Sequence, residues 1–455
     1  MRRVLPFLSS AACGWAALAI GVALRLAWAL IFDPNPVNDG KWYFARSTEI
    51  AQGLGYQVSG LPTAYWPVGY PAFLGLVFRL FTPELAAMRM AQVVLAGATL
   101  FCIAFVARRL TGSRLAGNLA LLLFAFYPTD IAYTSIMLSE LSFNTWMMLG
   151  FAIGLSAYRW PLRVGAAGVW FALAALTRPL GLLLPAWLGL LGPWTSWRTR
   201  IVVTVGVGAA LCAALAPWWI RNANAFGAFV PVSNNGGINL FIGNNPRAHG
   251  AYRFDGKVER GGRPEYESDQ AYGSTAREYI RTNPERTVRL WPRKLQKLLE
   301  NDVAPIGWSR SMSEDRVAFV NELARPMELY YSALWALALA GLFLGIAGRR
   351  AAVPVLHGVL ALLTGWKLGF AAWIVVPAAL SAELAVFAIR REREFLLRSL
   401  CGIPLANLLS VLAITLAFFG DFRFHHAMMP WAAICAGALL AQVGQLLAAR
   451  SGMVT

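Results

Sequence analysis

Long apolar segments recur along the chain, and they restrict it to folds that cross a membrane. A helix needs about 20 mostly apolar residues to span a bilayer, and fewer where short helices pack inside a bundle. Hydrophobic residues make up 58% of the sequence and charged residues only 14%. We therefore expect an α-helical, polytopic membrane protein.

Apolarity alone predicts about twelve transmembrane helices. An even number puts both termini on the same side of the membrane. Two pairs, at residues 164–193 and 351–389, are so short that the number of spans can change by two. The predicted spans are Leu5–Phe32, Met88–Ala107, Leu115–Tyr127, Leu138–Tyr158, Val164–Thr177, Leu180–Pro193, Ile201–Ile220, Leu329–Ala347, Ala351–Gly365, Leu368–Ile389, Leu400–Phe419 and Ala427–Leu447.

The distribution of charge predicts the orientation. The net charge is +17, and sixteen arginines but only two acidic residues lie in the short connections and tails on one side. Basic residues concentrate in cytoplasmic loops, so that side, with both termini, is assigned to the cytoplasm. The long hydrophilic stretch Arg221–Glu328 carries a net charge of only +3. The excess therefore indicates topology in a plasma (inner) membrane and not a nucleic-acid surface.

Two hydrophilic regions lie on the opposite, extracytoplasmic face. We divide the chain into an N-terminal membrane module, a cap and C-terminal membrane helices, at residues 1–220, 221–328 and 329–455. The first module includes an outer loop at residues 33–87, in which Tyr70–Phe81 predicts an interfacial helix.

The cap is expected to be mostly α-helical. Two of its stretches, Ser268–Arg281 and Glu285–Glu300, have the spacing of apolar residues that is typical of amphipathic helices. We expect the cap to lie on the outer surface of the membrane module.

Acidic residues at the rim of apolar segments are the first candidates for chemistry, because charge is unfavourable there unless it has a role. Asp39 and Glu140 are the candidate catalytic residues. Asp39 could instead cap a helix at Lys41–Gln52, and Glu140 could be a first-turn acid favoured by the helix dipole. Asp130 is interpreted as a turn residue.

Basic and aromatic residues on the same face are candidates for binding an anionic substrate. Arg178 lies at the outer turn of a short helix pair, and Arg221 and Arg423 flank other spans; each could also extend toward the interface without a catalytic role. Guanidinium groups can bind a phosphate, and a carboxylate beside them can take a proton from a nucleophile. We assign donor-phosphate or substrate binding to Lys41, Arg46, Tyr65, Arg178, Arg221, Arg423 and His425.

Four stretches together resemble the GT-C class of polyprenyl-phosphate-dependent glycosyltransferases, in the branch of protein O-mannosyltransferases and aminoarabinose transferases. One is the outer loop with Asp39 and Tyr65-Trp66-Pro67, and the second is Ser139-Glu140-Leu141. The third is Pro217-Trp218 with Arg221-Asn222 and the Asn/Gly-rich stretch after it, and the fourth is Arg423-Phe424 with Met428-Met429-Pro430.

The resemblance implies an inverting glycosyltransferase that works on the extracytoplasmic face. Asp39 would be the general base, Glu140 would orient the acceptor or the sugar, and the arginines would stabilise the leaving phosphate. The donor would be a sugar on undecaprenyl or dolichyl phosphate, and the acceptor a lipid, glycan or protein. Many members have Asp-Glu in the first loop, whereas Gly40 follows Asp39 here.

Two other functions stay open. An oligosaccharide ligase or polymerase would have a similar architecture but a lipid-pyrophosphate donor. A transporter or flippase would place its charges near the middle of the bilayer. A divalent metal stays open too, since Asp39 and Glu140 alone would need further oxygen ligands.

Overall fold

The computed structural model of the chain describes residues 4–253, 264–342 and 400–450. The described part is mostly helical, as expected. The two segments Ala351–Gly365 and Leu368–Ile389, which we assigned as spans, lie outside the described residues.

The first half of the chain alternates long apolar helices with shorter ones. A 3₁₀ turn, Pro179–Leu183, joins two of them. In chain order the helices are α1 (Val4–Leu8), α2 (Ala11–Ile31), α3 (Asp39–Ala51), α4 (Gly69–Leu80), α5 (Leu85–Thr111), α6 (Arg114–Ala125), α7 (Pro128–Tyr133), α8 (Glu140–Gly154), α9 (Trp160–Thr177), α10 (Leu184–Leu191) and α11 (Trp197–Phe226).

The second half contributes short helices outside the bundle and longer ones within it. A second 3₁₀ turn, Phe424–Met428, precedes the last helix. The helices are α12 (Gly236–Gly243), α13 (Glu265–Thr282), α14 (Pro284–Arg289), α15 (Trp291–Leu299), α16 (Ala304–Trp308), α17 (Glu314–Glu322), α18 (residues 324–342), α19 (Ile403–Ala417) and α20 (Met429–Arg450).

Five of the described helices are long and apolar enough to cross a membrane: α2, α5, α9, α11 and the segment Phe424–Ala449 that contains α20. Shorter apolar helices such as α6 and α19 lie among them. The first predicted span is broken near its start. Ser10 caps α2 by accepting a hydrogen bond from the Cys13 amide at 3.1 Å, which separates α2 from α1.

The core lies where α8 is enclosed by its neighbours. Thirteen of the residues of α8 are buried, and the Phe151 ring on this helix packs edge-on against Trp431 of α20 at 4.9 Å. Helix α20 approaches α6 closely, since a β-carbon at Gly437 would lie 2.5 Å from the Ala120 nitrogen. Asn144, in the first half of α8, donates a hydrogen bond to the His426 carbonyl oxygen at 3.0 Å, which holds the turn before α20 against α8.

The predicted cap helices are present, with one difference. Helix α13 covers the first predicted stretch, whereas the second is divided at Leu290 into α14 and α15. Pro292 lies in the first turn of α15, because proline lacks the amide hydrogen that a continuous helix would need there.

The outer loop forms a small folded unit over the bundle. The predicted helix near Tyr70–Phe81 is α4, which packs against α3 with Leu74 and Phe78 buried. A two-stranded antiparallel hairpin, Gln57–Val58 with Leu61–Pro62, lies between the two helices. The first turn of α3 is thereby positioned beside the starts of α8 and α20.

Candidate functional site

Asp39 is the first residue of α3, and its carboxylate contacts an arginine. Its Oδ2 accepts a hydrogen bond from Arg423 Nη1 at 2.9 Å. The interpretation of Asp39 as the helix cap is wrong, because Asn38 occupies that position without a capping hydrogen bond. Asn38 also has a positive φ of 46°. This strained backbone turns the chain so that Asp39 starts the helix.

Glu140 begins α8 and is almost completely buried, with 3% of its surface exposed. Arg178 Nη2 lies 2.8 Å from Glu140 Oε1. Pro179 explains the position of Arg178, because it ends α9 and leaves Arg178 with an extended backbone at the outer turn. A buried carboxylate needs such a partner to stay ionised.

Arg423 lies among three carboxylates. Its guanidinium is 2.9 Å from Asp39, 3.7 Å from Asp421 and 3.8 Å from Glu140. Burial alone would lower the pKa of Arg423, but Glu140, Asp421 and Asp39 together raise it well above its usual value. The structure therefore brings together Asp39, Glu140, Arg178 and Arg423 among the residues predicted from the sequence.

Two tyrosines complete this cluster and were missed by sequence analysis. Tyr43, one helical turn after Asp39, is buried; burial raises the pKa of its phenol, and the charges of Asp39 and Glu140 raise it further. Tyr133 of α7 is buried beside Glu140 and Arg423 in the same way. The spacing of four residues from Asp39 was a signal for Tyr43; no such signal exists for Tyr133.

Two adjacent histidines anchor the turn that carries Arg423. His425 Nδ1 lies 2.8 Å from the Leu298 carbonyl oxygen, and its Nε2 lies 2.8 Å from Asp302 Oδ1. His426 Nε2 lies 3.2 Å from Asp130 Oδ1. Both histidines are only 1% exposed. His425 is thus held by the protein itself, and the structure does not bring it to the cluster as a free phosphate ligand.

Asp130 belongs to a buried ion pair and is more than a turn residue. Arg25 of α2 lies 2.7 Å from its Oδ2, and both side chains are at most 1% exposed. Burial opposes ionisation of Asp130, but Arg25 and His426 hold its pKa below the usual range. Sequence analysis missed Arg25 because it lies within an apolar span with nothing to indicate a partner.

Four further residues, Lys41, Arg46, Tyr65 and Arg221, were predicted to bind substrate. Lys41 is exposed on α3. Arg46 pairs with Glu49 at 2.7 Å, while Tyr65 packs against Trp42 with ring centroids 6.2 Å apart.

Arg221 binds the outer loop to α11. Its guanidinium donates to the carbonyl oxygens of Tyr56 at 2.6 Å and Thr63 at 2.9 Å. It also stacks over the Trp218 ring at 5.0 Å. These contacts indicate a structural role for Arg221, and a contact with substrate stays a prediction.

The cap meets the outer loop close to the cluster. Glu265, at the start of α13, accepts hydrogen bonds from Thr63 Oγ1 at 2.6 Å and from the Ala64 amide at 2.8 Å. Tyr252 packs against Phe419 with ring centroids 5.4 Å apart, and burial raises the pKa of its phenol, which the charge of Asp39 raises further.

Comparison with known proteins identifies the fold. No protein-family model and no curated protein sequence matches the chain. The crystal structure of the Archaeoglobus fulgidus oligosaccharyltransferase matches with a TM-score of 0.52 and 12% identity, over 97% of this chain and 51% of that one. The chain has the GT-C fold. It spans about half the length of that oligosaccharyltransferase.

Two more GT-C structures match less closely. One is the same archaeal enzyme, named AglB, with an inhibitory peptide and a dolichol-phosphate, at a TM-score of 0.49, 11% identity, and coverage of 97% of this chain and 51% of that chain. The other is ArnT from Cupriavidus metallidurans bound to undecaprenyl phosphate, at 0.40 and 13% identity, over 96% of this chain and 79% of that one. The GT-C fold and the five long apolar helices make this chain a membrane protein.

Gly40, the departure from the Asp-Glu pattern of many GT-C proteins, has a steric explanation. A β-carbon at position 40 would lie 3.2 Å from the Pro36 Cβ and 3.3 Å from the Met137 carbonyl oxygen. These contacts are tight, so a side chain at this position would require its neighbours to shift by a few tenths of an ångström.

Proposed function

We propose that the chain is an inverting glycosyltransferase that moves a sugar from a polyprenyl-phosphate donor to an acceptor hydroxyl or amine on the extracytoplasmic face. The observation that carries the proposal is the cluster of Asp39 and Glu140 with Arg178 and Arg423, at the ends of apolar helices in a GT-C fold. It combines a carboxylate that can accept a proton with two cations that can bind a phosphate.

Asp39 is the general base in this mechanism. Its side chain is 27% exposed, whereas that of Glu140 is only 2% exposed, so Asp39 is the carboxylate that an incoming acceptor can reach. Asp39 takes the proton from the acceptor as its oxygen or nitrogen bonds to the anomeric carbon. The bond from that carbon to the phosphate oxygen breaks on the opposite face, which inverts the configuration.

Arg423 couples the base to the donor. In this mechanism the donor phosphate competes with Asp39 for the Arg423 guanidinium, which frees the Asp39 oxygen to accept the proton of the acceptor. Arg178 then stabilises the charge that develops on the leaving phosphate, and Glu140 holds both guanidinium groups in place.

The first experiment identifies the donor. The purified protein is reconstituted into vesicles with either a monosaccharide on polyprenyl phosphate or an oligosaccharide on polyprenyl pyrophosphate, and the products are analysed by mass spectrometry. We expect transfer from the monosaccharide phosphate. The acceptor is sought by comparing glycolipids and glycoproteins of a deletion strain with those of its parent.

Oligosaccharide transfer is the second candidate, because the matched archaeal structure at a TM-score of 0.52 is an oligosaccharyltransferase. Transfer from the pyrophosphate donor alone would replace the first proposal with this one. Movement of substrate across sealed vesicles without any covalent change would instead establish the transporter alternative and contradict both.

A further inference from the structure

Three carboxylates converge on one guanidinium group in the candidate site. Asp39 comes from the start of α3, Glu140 from the start of α8, and Asp421 from the connection between α19 and α20. They lie 2.9, 3.8 and 3.7 Å from nitrogens of Arg423. The shared guanidinium reduces the repulsion between these three negative charges.

A divalent cation is the usual alternative for this position. Mg²⁺ and Ca²⁺ bind to carboxylate oxygens at about 2.0–2.6 Å and draw them around one point. The planar guanidinium is wider and offers five N–H donors, so it holds carboxylates further apart. Among the residues that the structure describes, no group of three or more His, Cys, Asp or Glu side chains is arranged to hold a metal.

Arg423 is fixed in this central position. Its amide donates to Asp421 Oδ1 at 2.9 Å, and its guanidinium lies 5.4 Å over the Trp308 ring. The buried contacts of His425 and His426 hold the turn that follows it. Withdrawal of the side chain would break its contacts with Asp39 and Trp308, so a metal ion would have to enter beside a cation.

We propose that Arg423 is the built-in cation of this site and takes the position that a divalent metal would occupy between Asp39, Glu140 and Asp421. The intact protein therefore binds no divalent metal there, and removal of the guanidinium allows the same carboxylates to move together around a metal ion. The inference rests on the proposed function only in treating Asp39 as the reactive carboxylate.

Metal binding is the test, and it needs neither donor nor acceptor. Mn²⁺ is titrated into the purified, full-length protein in detergent and followed by electron paramagnetic resonance. Wild type, Arg423→Ala, Arg423→Lys and the double variant Arg423→Ala/Asp39→Asn are compared. We expect one Mn²⁺ to bind to Arg423→Ala at least about ten times more tightly than to wild type, a difference of about 1.4 kcal/mol. Arg423→Lys and the double variant should resemble wild type.

Two results would overturn the inference: a wild-type Mn²⁺ site that Asp39→Asn abolishes, or folded Arg423→Ala with no Asp39-dependent site. If Arg423→Ala does not purify as a monodisperse species, Arg423→Gln replaces it. Mn²⁺ binding by wild type and by Asp39→Asn can also be compared without either Arg423 variant. A chelator added to the transfer assay separates the inference about Arg423 from the proposed function. Loss of transfer on chelation would contradict the inference and leave the proposed function standing. Absence of transfer in every condition would contradict the proposed function and leave the binding result standing.

Discussion

Glu140 keeps a negative charge in a position that is almost inaccessible to water, and Arg178 is the closer of its two cationic partners. The Arg178 contact is 2.8 Å, whereas Arg423 lies 3.8 Å away. Removing one partner of a buried pair is more destabilising than removing both, because it leaves a charge without compensation. The pair therefore contributes to stability as well as to the proposed chemistry.

This asymmetry predicts the behaviour of variants at the pair. Arg178→Met should lower the free energy of unfolding by roughly 3 kcal/mol, seen as a lower Tm in detergent. Arg178→Met/Glu140→Gln should recover part of that loss. The control is Arg289→Met, since the pair of Arg289 with Glu285 is 77% exposed on both sides. A double variant that is less stable than the single variant would contradict the account.

Lys294 of α15 gives a prediction that depends on pH. Its side chain is 0% exposed, and burial lowers its pKa to about 8. A free lysine has a pKa of about 10.4, so between these values the unfolded chain binds more protons than the folded one. The stabilising effect of deprotonated Lys294 is therefore present at high pH and is lost as the pH falls through 8.

The measurement is the difference in Tm between wild type and Lys294→Met at pH 7 and at pH 10. The Tm of wild type relative to that of Lys294→Met should be higher at pH 10 than at pH 7. The reason is that burial of the charged Lys294 amine is unfavourable only at the lower pH. The loss of the hydrogen bonds to Asn244 and Leu416 is common to both conditions. Lys297→Met is the control, and an unchanged difference would contradict the assignment.

At the scale of elements, Asp302 connects the cap to the bundle. Its Oδ2 accepts hydrogen bonds from Tyr127 Oη at 2.7 Å and Thr129 Oγ1 at 2.5 Å, while its Oδ1 faces His425. Asp302 thus joins the segment after α15 to the α6–α7 connection and to the turn that carries Arg423. Its removal leaves several buried polar groups without partners.

Asp302→Ala is expected to lower the Tm and loosen the cap. Each buried polar group left without a partner costs about 1–3 kcal/mol, so limited proteolysis should cut residues 264–322 faster than in wild type. Asp315→Ala on exposed α17 is the matched control. Equal proteolysis of the two variants would show that Asp302 does not hold the cap.

Local features of the sequence predicted the helices better than they predicted which side chains contact each other. A short apolar run predicted α4 and amphipathic spacing predicted α13, because both patterns are local. The ion pair of Asp39 with Arg423 joins residues 384 positions apart, and no local pattern reports such a contact. Asp39 and Glu140 could be selected because they lie at the rim of apolar segments, whereas Tyr133, Asp302 and Arg25 acquire their contacts only through tertiary packing.

At the scale of the whole molecule, arginines are concentrated in the connections on one side of the membrane. This distribution predicts that the outer loop and the connection between α10 and α11 face opposite sides. Ser59 and Thr195 are exposed representatives of the two regions. Orientation decides whether Asp39 meets an extracytoplasmic acceptor.

Single cysteines test this orientation. Ser59→Cys and Thr195→Cys are each introduced after replacement of the five natural cysteines. A membrane-impermeant maleimide applied to intact cells, or to spheroplasts where an outer membrane limits access, should label position 59 and not position 195. Position 195 should react after permeabilisation. Labelling of position 195 alone before permeabilisation would show that the orientation is the reverse of the one predicted.

The central claim is that Asp39 acts as the general base in sugar transfer, and the turnover of Asp39→Asn tests it most directly. With a polyprenyl-phosphate sugar as donor, we expect turnover to fall at least about 100-fold, while the variant remains folded. Asp33→Asn is the matched control, because Asp33 lies in the same loop but pairs with Arg316 at the surface. Undiminished turnover by folded Asp39→Asn would contradict the account.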